Sequence, residues 1–136
     1  MIILNGKKIS NVIKAEIAES VKDIVAKSLR PPHLAAVIVG SDGASLTYVG
    51  SKVRACKTVG FDSTLINLPD SISETELLEK VEELNNDKNI DGYIVQLPLP
   101  KHIDAQKILM AVNADKDVDG FHPTNFGKMA LSLPTF

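Results

Sequence analysis

Residues 34–40 read LAAVIVG, a continuous apolar run that ends in glycine. Such a run is typical of a β-strand buried on both faces of a sheet. A second apolar run, IDGYIVQL at 90–97, is ended by Pro98 and Pro100. Between them, FDSTLINL at 61–68 alternates loosely between apolar and polar residues, which also indicates a strand. The sequence therefore predicts three strands in this part of the chain.

An amphipathic helix is predicted before the first of these strands. Ser10 can cap its N-terminus, and the two prolines at 31–32 must end it. Its apolar positions step by four, four, three and one residues, which predicts one buried stripe. These positions are Ile13, Ile17, Val21, Ile24 and Val25. Residues 2–9 are expected to form a short strand or extended lead-in, broken at an Asn-Gly pair.

Two more helices separate the strands. The first follows the LAAVIVG strand and is closed by Gly60, a plausible C-cap. The second begins at Ser73, which forms a capping box with Glu76, and Ile72 can pack on Leu77 at its start. Its inner face is expected to consist of Leu77, Leu78, Val81 and Leu84.

A short helix is also predicted at 103–112, and a helical turn near 126–131. The alternation of apolar strands and amphipathic helices predicts an α/β fold, a three-layer α/β/α sandwich with a mostly parallel sheet. Sites in such sheets form at the carboxyl ends of the strands. This rule selects the loop at 40–45, the VQLPLP turn at 95–100 and the Asp-rich segment from Asp115.

The composition of the chain argues against several classes of binding partner. The chain has 136 residues, enough for one domain with a core. Its net charge of −2 and its 4% aromatic content argue against a nucleic-acid or anionic-membrane surface. No apolar stretch approaches the length of a membrane span, no secretory leader is recognisable, and Cys56 has no second cysteine to pair with. The cytoplasm is the expected compartment.

The segment ASLTYVGSKVRAC, residues 44–56, places Tyr48 and Lys52 one helical turn apart on one face. Lys52 is either a solvated helix lysine or an amine at the functional edge, and Ser45 and Cys56 beside it are not typical of an exposed helix face. An amine beside a cation or in a dry pocket loses its proton more easily, so Lys52 is a candidate base. Tyr48 is either a packing aromatic or a flat surface for a heterocycle.

Two further polar positions lie at the expected edge. Gln96 ends an apolar strand, and a buried glutamine needs hydrogen-bond partners. The partner is either loop backbone or, alternatively, Lys52 or a substrate carbonyl. In ADKDVDGFHP, residues 114–123, a carboxylate either caps a turn or accepts two hydrogen bonds from an amidine-like edge such as that of a pterin.

Metal binding is not expected. The aspartates at 115, 117 and 119 match the opening of an EF-hand loop, but Phe126 occupies the twelfth position, where a bidentate glutamate is required. The three histidines show no metal-ligand spacing. GSDGAS, at 40–45, is not the G-x-G-x-x-G pattern of a dinucleotide-binding loop.

Three separated motifs, VGSDGASLTYVGSKVRACKTVGF, DGYIVQLPLP and KDVDGFHPTNFGKM, together resemble the bifunctional methylenetetrahydrofolate dehydrogenase/methenyltetrahydrofolate cyclohydrolase family. The resemblance covers essentially the whole chain, but only the first half of the family protein. It implies a tetrahydrofolate-binding catalytic domain at 1–122, the start of an interdomain linker at 123–136, and an NADP-binding Rossmann domain absent from this chain. Folate is expected in the cleft between the two domains.

The resemblance also implies roles for individual residues. The implied catalytic group comprises Lys52 as the catalytic lysine, Gln96 as its hydrogen-bonding partner and Tyr48 as the aromatic that stacks on the folate. The other implied contacts are Leu97 and Pro98 as pocket wall and Asp119 as the pterin anchor. The sequence departs from the family pattern at Gly43, where the family usually has proline.

The family oxidises 5,10-methylenetetrahydrofolate with NADP⁺ and hydrolyses the methenyl product to 10-formyltetrahydrofolate. The resemblance also implies that the full-length enzyme is a homodimer. We expect the 136 residues alone to lack dehydrogenase activity and to hydrolyse the methenyl compound weakly or not at all. One alternative is a stand-alone folate-binding module without activity. Another is a receiver-like signalling domain, which the lone Asp42 after the LAAVIVG strand disfavours because receivers need an acidic pair.

Overall fold

The computed structural model describes residues 5–134, apart from the side chain of Ala44. Helices and strands alternate along this part of the chain. They are α1 (Gly6–Ala26), β1 (His33–Val39), α2 (Gly43–Val59), β2 (Asp62–Leu68), α3 (Glu74–Asn86), β3 (Gly92–Val95), α4 (Ala105–Ala111), a 3-10 helix (Ala114–Lys116) and α5 (Pro123–Ala130). The three predicted strands are confirmed, each with its ends shifted by at most two residues.

The described strands form a parallel sheet in the order β2-β1-β3. In the register of this sheet, Val37 of β1 lies opposite Ile66 of β2 and Val95 of β3. Parallel strands need crossover connections, and α2 supplies the one from β1 to β2, while α3 supplies the one from β2 past β1 to β3. The central strand is fully apolar after its first residue, as expected for a strand covered on both faces.

Successive side chains of β1 face opposite sides of the sheet, and each side has its own core. On one face, Val37 packs in a cluster with Leu77 of α3 and Ile108 of α4. On the other face, Ile38 packs with Val49 of α2. Helices therefore cover both faces, and the predicted three-layer α/β/α sandwich is confirmed.

The start of α3 follows the sequence prediction. Ser73 is the N-cap, its backbone N–H donates to Glu76 Oε2 at 2.8 Å, and the Glu76 N–H donates to Ser73 Oγ at 3.2 Å. Ile72 and Leu77 are both buried in the same core cluster. Of the predicted inner face, Leu77, Val81 and Leu84 are buried, and Leu78 packs against them partly exposed.

The prediction for α1 is wrong in two respects. The helix begins at Gly6, not after Ser10, because the Asn5 side chain accepts the Lys8 N–H at 3.0 Å and caps it. Residues 6–9 are therefore helical, and residues 2–4 of the predicted lead-in lie outside the described part of the chain.

The apolar stripe of α1 is also less buried than its spacing predicts. Of its five positions only Val21 is buried, whereas Ile13 and Val25 are 49% and 50% exposed. The reason is that α1 packs mainly on α2, with Val21 against Gly60, where an added Cβ would come within 3.3 Å of Val21 Cγ1. In the part of the chain that the structure describes, no helix is long and apolar enough to cross a membrane.

Candidate functional site

The N-terminus of α2 is fixed by Asp42, the N-cap residue. Its Oδ2 accepts both the backbone N–H and the hydroxyl of Ser45, each at 2.8 Å. At the other end Gly60 adopts φ of 83° and closes the helix, as predicted. Because α2 starts at the carboxyl end of β1, its first turns lie at the edge where sites form in parallel sheets. Asp42 thus stabilises the start of α2 at this edge.

Tyr48 and Lys52 lie one turn apart on α2, as predicted. The Lys52 Nζ is 4.8 Å from the centroid of the Tyr48 ring, within the range of a cation–π contact. The Tyr48 residue is 57% exposed, so it is not a packing aromatic of the core. Its ring presents an open surface next to the amine.

Lys52 and Asp119 form an ion pair between α2 and the Asp-rich segment. Lys52 Nζ donates to Asp119 Oδ1 at 3.2 Å, and the two side chains are 23% and 30% exposed. Lys52 is therefore not a freely solvated helix lysine. The two residues are 67 positions apart in the sequence, and the fold brings them together at the predicted edge.

Gln96 follows β3, but its hydrogen bond goes to the loop backbone. Its Nε2 donates to the carbonyl of Leu97 at 2.7 Å. The expectation that Gln96 is the hydrogen-bonding partner of Lys52 is thus not met in this structure. Lys52 pairs with Asp119 instead, because a carboxylate is a stronger acceptor for an ammonium than a side-chain amide.

Leu97 and Pro98 continue the same turn, joined by a cis peptide bond. Leu97 is half-buried and Pro98 is exposed. Their position directly after β3 places them at the carboxyl end of the sheet, beside Gln96. They are therefore available to a molecule bound at this edge.

The Asp-rich segment contains two aspartates with different surroundings. Asp117 is 5% exposed and accepts the backbone N–H groups of Phe121 and His122, at 3.3 and 2.8 Å. It is the turn-capping carboxylate that the sequence left open as one alternative. Asp119 instead directs its carboxylate to Lys52.

Sequence reasoning missed Asn125, which is 4% exposed. Its Nδ2 donates to Asp117 Oδ2 at 3.1 Å and to the carbonyl of Ala114 at 2.7 Å. No spacing rule identifies such a residue, because its contacts depend on how α5 folds back over the segment. The parallel bridge between Asp117 and Tyr93 of β3 was also missed, because it joins segments that are distant in the sequence.

A groove with a volume of about 550 Å³ lies between α1 and α2. Its walls are mainly apolar and include Ile9 and Ile13 from α1, Ala55 and Val59 from α2, and Lys52. The groove is where the exposed stripe of α1 faces solvent. Lys52 is among the wall residues, whereas Tyr48, Gln96 and Asp119 are not. Ile13 and Ile17, predicted as part of a buried stripe, are exposed at this groove.

Two buried groups near these elements have shifted acidities. Burial raises the pKa of the Cys56 thiol, which favours an inert packing residue. Burial also raises the pKa of the Tyr93 phenol, which donates to Asn85 Oδ1 at 2.7 Å. Among residues 5–134, the structure brings together no group of three His, Cys, Asp or Glu side chains that could hold a metal ion.

Residues 4–119 match the family described as tetrahydrofolate dehydrogenase/cyclohydrolase, catalytic domain. The chain belongs to this family. The match covers the first two motifs that carry the resemblance and residues 116–119 of the third, and the resemblance is confirmed.

Curated relatives support the same family membership. It is 66% identical over 136 residues to the bifunctional protein FolD of Flavobacterium johnsoniae, covering all of this chain and 46% of that protein. It is 64% identical to that of Christiangramia forsetii, with the same coverage. The chain thus spans about half the length of the curated relatives it matches.

Solved structures of family members share the fold. The bifunctional enzyme FolD of Campylobacter jejuni superposes with a TM-score of 0.93 at 42% identity, over 98% of this chain and 47% of that one. The FolD of Trypanosoma brucei, in complex with NADP cofactor and an inhibitor, superposes with a TM-score of 0.90 at 31% identity, over 94% of this chain and 43% of that one.

Proposed function

We propose that this chain is the folate-side catalytic half of an enzyme that oxidises 5,10-methylenetetrahydrofolate and hydrolyses the methenyl product to 10-formyltetrahydrofolate. The observation that carries the proposal is the placement of the Lys52 amine between the Tyr48 ring and the Asp119 carboxylate, at the functional edge of the sheet. In a chain of this family, these three groups match a lysine base, a stacking platform and an anchor for a pterin.

The proposed binding mode follows from what each group offers. Asp119 can accept two hydrogen bonds from the amidine-like edge of the pterin, because its carboxylate has two oxygens and is partly exposed. Tyr48 presents an exposed ring on which an aromatic part of the folate can stack. Leu97 and Pro98 would form the wall opposite, at the turn after β3.

Binding in this mode changes the surroundings of Lys52. When Asp119 accepts hydrogen bonds from the pterin, it no longer serves Lys52 alone as a counter-ion. The cationic methenyl group of the substrate would then lie near the amine, and a neighbouring cation favours the neutral form of an amine. In this arrangement Gln96 would leave the Leu97 carbonyl and orient Lys52.

The hydrolysis can then be written with Lys52 as the base. Water adds to the methenyl carbon and forms a new C–O bond, while Lys52 takes one proton from it. The bond from this carbon to N5 then breaks as N5 takes a proton, the hydroxyl loses its remaining proton and becomes the C=O of the formyl group, and this group stays on N10. The net reaction consumes one water and releases one proton to solvent.

The dehydrogenase step needs a nucleotide site that these residues do not provide. NADP⁺, when bound, accepts a hydride from the methylene carbon of the substrate. The sequence contains no G-x-G-x-x-G loop, so we assign NADP binding to a separate Rossmann domain. Within the chain, we propose a folate-binding catalytic domain at 1–122 and the start of a linker at 123–136, and for the whole enzyme a homodimer in the cytoplasm.

A Lys52→Met variant tests the proposal in the full-length enzyme. We expect hydrolysis of 5,10-methenyltetrahydrofolate to be lost while the circular dichroism spectrum and melting temperature stay unchanged. The matched control is Lys57→Met, since Lys57 is an exposed lysine on the same helix. Near-normal hydrolysis in Lys52→Met would refute the role of the amine.

A folate-binding module without activity is the second candidate, because the chain spans less than half of its curated relatives. Titration of the 136-residue chain with tetrahydrofolate, followed by a hydrolysis assay with the methenyl compound, separates the two. Binding with hydrolysis above the uncatalysed rate favours a catalytic half that works alone. Binding with no hydrolysis favours the module for this length of chain.

A further inference from the structure

Asp117 is a buried carboxylate whose partners are uncharged N–H groups. It is 5% exposed, and the ion pairs formed within residues 5–134 do not include it. Its three donors are the backbone N–H groups of Phe121 and His122 and the Nδ2 of Asn125. Burying a carboxylate costs free energy unless it is well hydrogen-bonded, so this arrangement needs a reason.

The hydrogen bonds of Asp117 define the shape of one turn. They connect the side chain to N–H groups four and five residues further along, and the Gly120 N–H donates to the Asp117 carbonyl at 3.3 Å. Gly120 adopts φ of 70°, a conformation that other residues rarely adopt. The turn at 117–122 is thus closed around the Asp117 carboxylate, and Asp119 lies inside it.

A second contact fixes where this turn lies relative to the sheet. Asp117 bridges Tyr93 of β3 in a parallel sense, so the chain after it advances toward the carboxyl end of β3. Val118 lies over Gly92, where an added Cβ would overlap Val118 Cγ1. The absence of a side chain at Gly92 lets the segment approach the strand closely.

These two contacts place the Asp119 carboxylate. Asp119 is two residues from Asp117 and next to Val118, and its Oδ1 is 3.2 Å from Lys52 Nζ. A displacement of the turn by about 1 Å would separate these atoms beyond hydrogen-bonding distance, and the cost of such misplacement in an enzyme can reach about 100-fold.

We propose that Asp117 is a positioning residue for ligand binding: its buried carboxylate holds the 117–122 turn so that Asp119 faces both Lys52 and the pterin. Asn125 and Gly92 support it, the former by donating to Asp117 and the latter by leaving room for Val118. This inference rests on the proposed function, because it assigns Asp117 to the same folate site. Asp117 itself does not contact the ligand.

The test uses the full-length enzyme and tetrahydrofolate as the probe, with dissociation constants measured by isothermal titration calorimetry. Asp117→Asn keeps one oxygen in the place of Oδ2, which accepts two of the three donors. We expect it to weaken binding about fivefold, and Asp117→Ala to weaken it about tenfold or more, or about 1.4 kcal/mol. The control Asp115→Asn, in an exposed residue of the same segment, should bind normally.

A double-mutant cycle with Asp119→Ala separates positioning from general destabilisation. If Asp117 acts through Asp119, adding Asp117→Asn to Asp119→Ala should weaken binding no further. The KM for NADP should also stay unchanged. Equal weakening in both backgrounds, or a normal dissociation constant for soluble Asp117→Asn, would overturn the inference.

Gly92→Ala provides an independent route if Asp117→Ala does not fold. It alters no polar group, but it pushes Val118 away from β3, and we expect weaker tetrahydrofolate binding that also disappears in the Asp119→Ala background. Normal binding by Gly92→Ala would contradict the inference. If the unmodified enzyme binds no tetrahydrofolate, the proposed function itself fails, which is a different result from normal binding by the variants.

Discussion

Lys52 and Asp119 are held 3.2 Å apart although they are 67 positions apart in the sequence. One lies on the helix that follows β1, and the other lies in a turn anchored to β3. The ion pair therefore forms only when α2 and the turn next to β3 are both correctly placed around the central strand. It also joins the two residues that the proposed function uses as base and anchor.

Replacing Asp119 with alanine should weaken folate binding more than it lowers turnover. The carboxylate is proposed to bind the pterin equally in the ground state and the transition state, so its loss raises KM with a smaller change in kcat. We expect an increase of about tenfold or more in the KM for 5,10-methylenetetrahydrofolate, as for a lost charge-assisted hydrogen bond. Steady-state kinetics with Asp115→Ala as control measures it, and an unchanged KM would count against the anchor.

Two substitutions of Tyr48 should distinguish the contribution of its ring to tetrahydrofolate binding from that of its hydroxyl. Tyr48→Phe keeps the exposed ring and should bind tetrahydrofolate within about twofold of the unmodified enzyme, whereas Tyr48→Ala should bind about tenfold more weakly because stacking on an aromatic face is lost. Fluorescence titration measures both. If Phe and Ala variants bind equally well, Tyr48 is not a stacking platform.

Replacing Gly43 with proline should stabilise the fold. Gly43 is the first residue of α2, where the fixed φ of proline suits the helix and the missing N–H is not needed. Asp42 already has an extended conformation, with φ of −60° and ψ of 121°, which the residue before a proline prefers. Apart from the chain neighbours and the adjacent backbone of α2 itself, no heavy atom of the described residues lies within 4 Å of the position of a new Cβ.

We expect Gly43→Pro to raise the free energy of unfolding by about 0.4–1 kcal/mol, since the unfolded chain loses conformational freedom. Urea denaturation at constant pH measures the change. Gly6→Pro makes a useful comparison, because Gly6 is likewise the first residue of its helix, and no atom within residues 5–134 beyond its own chain neighbours and helix backbone lies within 4 Å of an added Cβ. A lower unfolding midpoint for Gly43→Pro would show that the loop before α2 needs the glycine.

Stability should depend on pH through Asp91. Its carboxylate accepts two hydrogen bonds from Arg30, at 2.6 and 2.8 Å, and one from the His33 N–H. The Arg30 hydrogen bonds lower the pKa of Asp91 below its usual value, and the His33 N–H adds to this effect. Because the pKa is lower in the folded state, the contribution is complete above about pH 4, the ordinary value for aspartate, and is lost as the pH falls through the lowered value.

Asp91→Asn should therefore reduce the unfolding midpoint more at pH 7 than at pH 2.5, because the unmodified protein has lost part of this contribution at the lower pH. The effect should be modest, since both side chains are over 40% exposed and water screens the pair. Thermal unfolding monitored by circular dichroism at both pH values checks it. An equal shift at the two pH values would exclude the charge of Asp91 as the cause.

Local patterns predicted most of the fold because their causes are local. The capping box at Ser73 and the apolar run of β1 depend on neighbouring residues only, and both are found as predicted. The start of α1 was misplaced because Asn5 and Ser10 are both good N-caps, and only the backbone shows which one is used. The exposed apolar positions of α1 show that apolar spacing predicts which residues share a helix face, but not whether the rest of the protein covers that face.

The contacts among the proposed site residues were only partly predictable from the sequence. Tyr48 and Lys52 share a helix face, so their contact follows from the spacing. Which acceptor Lys52 would find, and which aspartate would be buried, depends on contacts across tens of residues. The hydrogen bond of Gln96 to the Leu97 carbonyl and the burial of Asp117 are of this kind.

The central strand β1 contributes no side chain to the proposed chemistry. The elements that carry the proposed site residues are nevertheless positioned against it. A shift of β1 by one position against its neighbours would exchange its two faces, so that Val37 and Ile38 would each enter the wrong core. The helix that carries Lys52 and the strand next to the Asp119 turn would then lose their present relation to each other. The proposed chemistry consequently depends on the register of the plainest hydrophobic stretch of the chain as well as on its reactive groups.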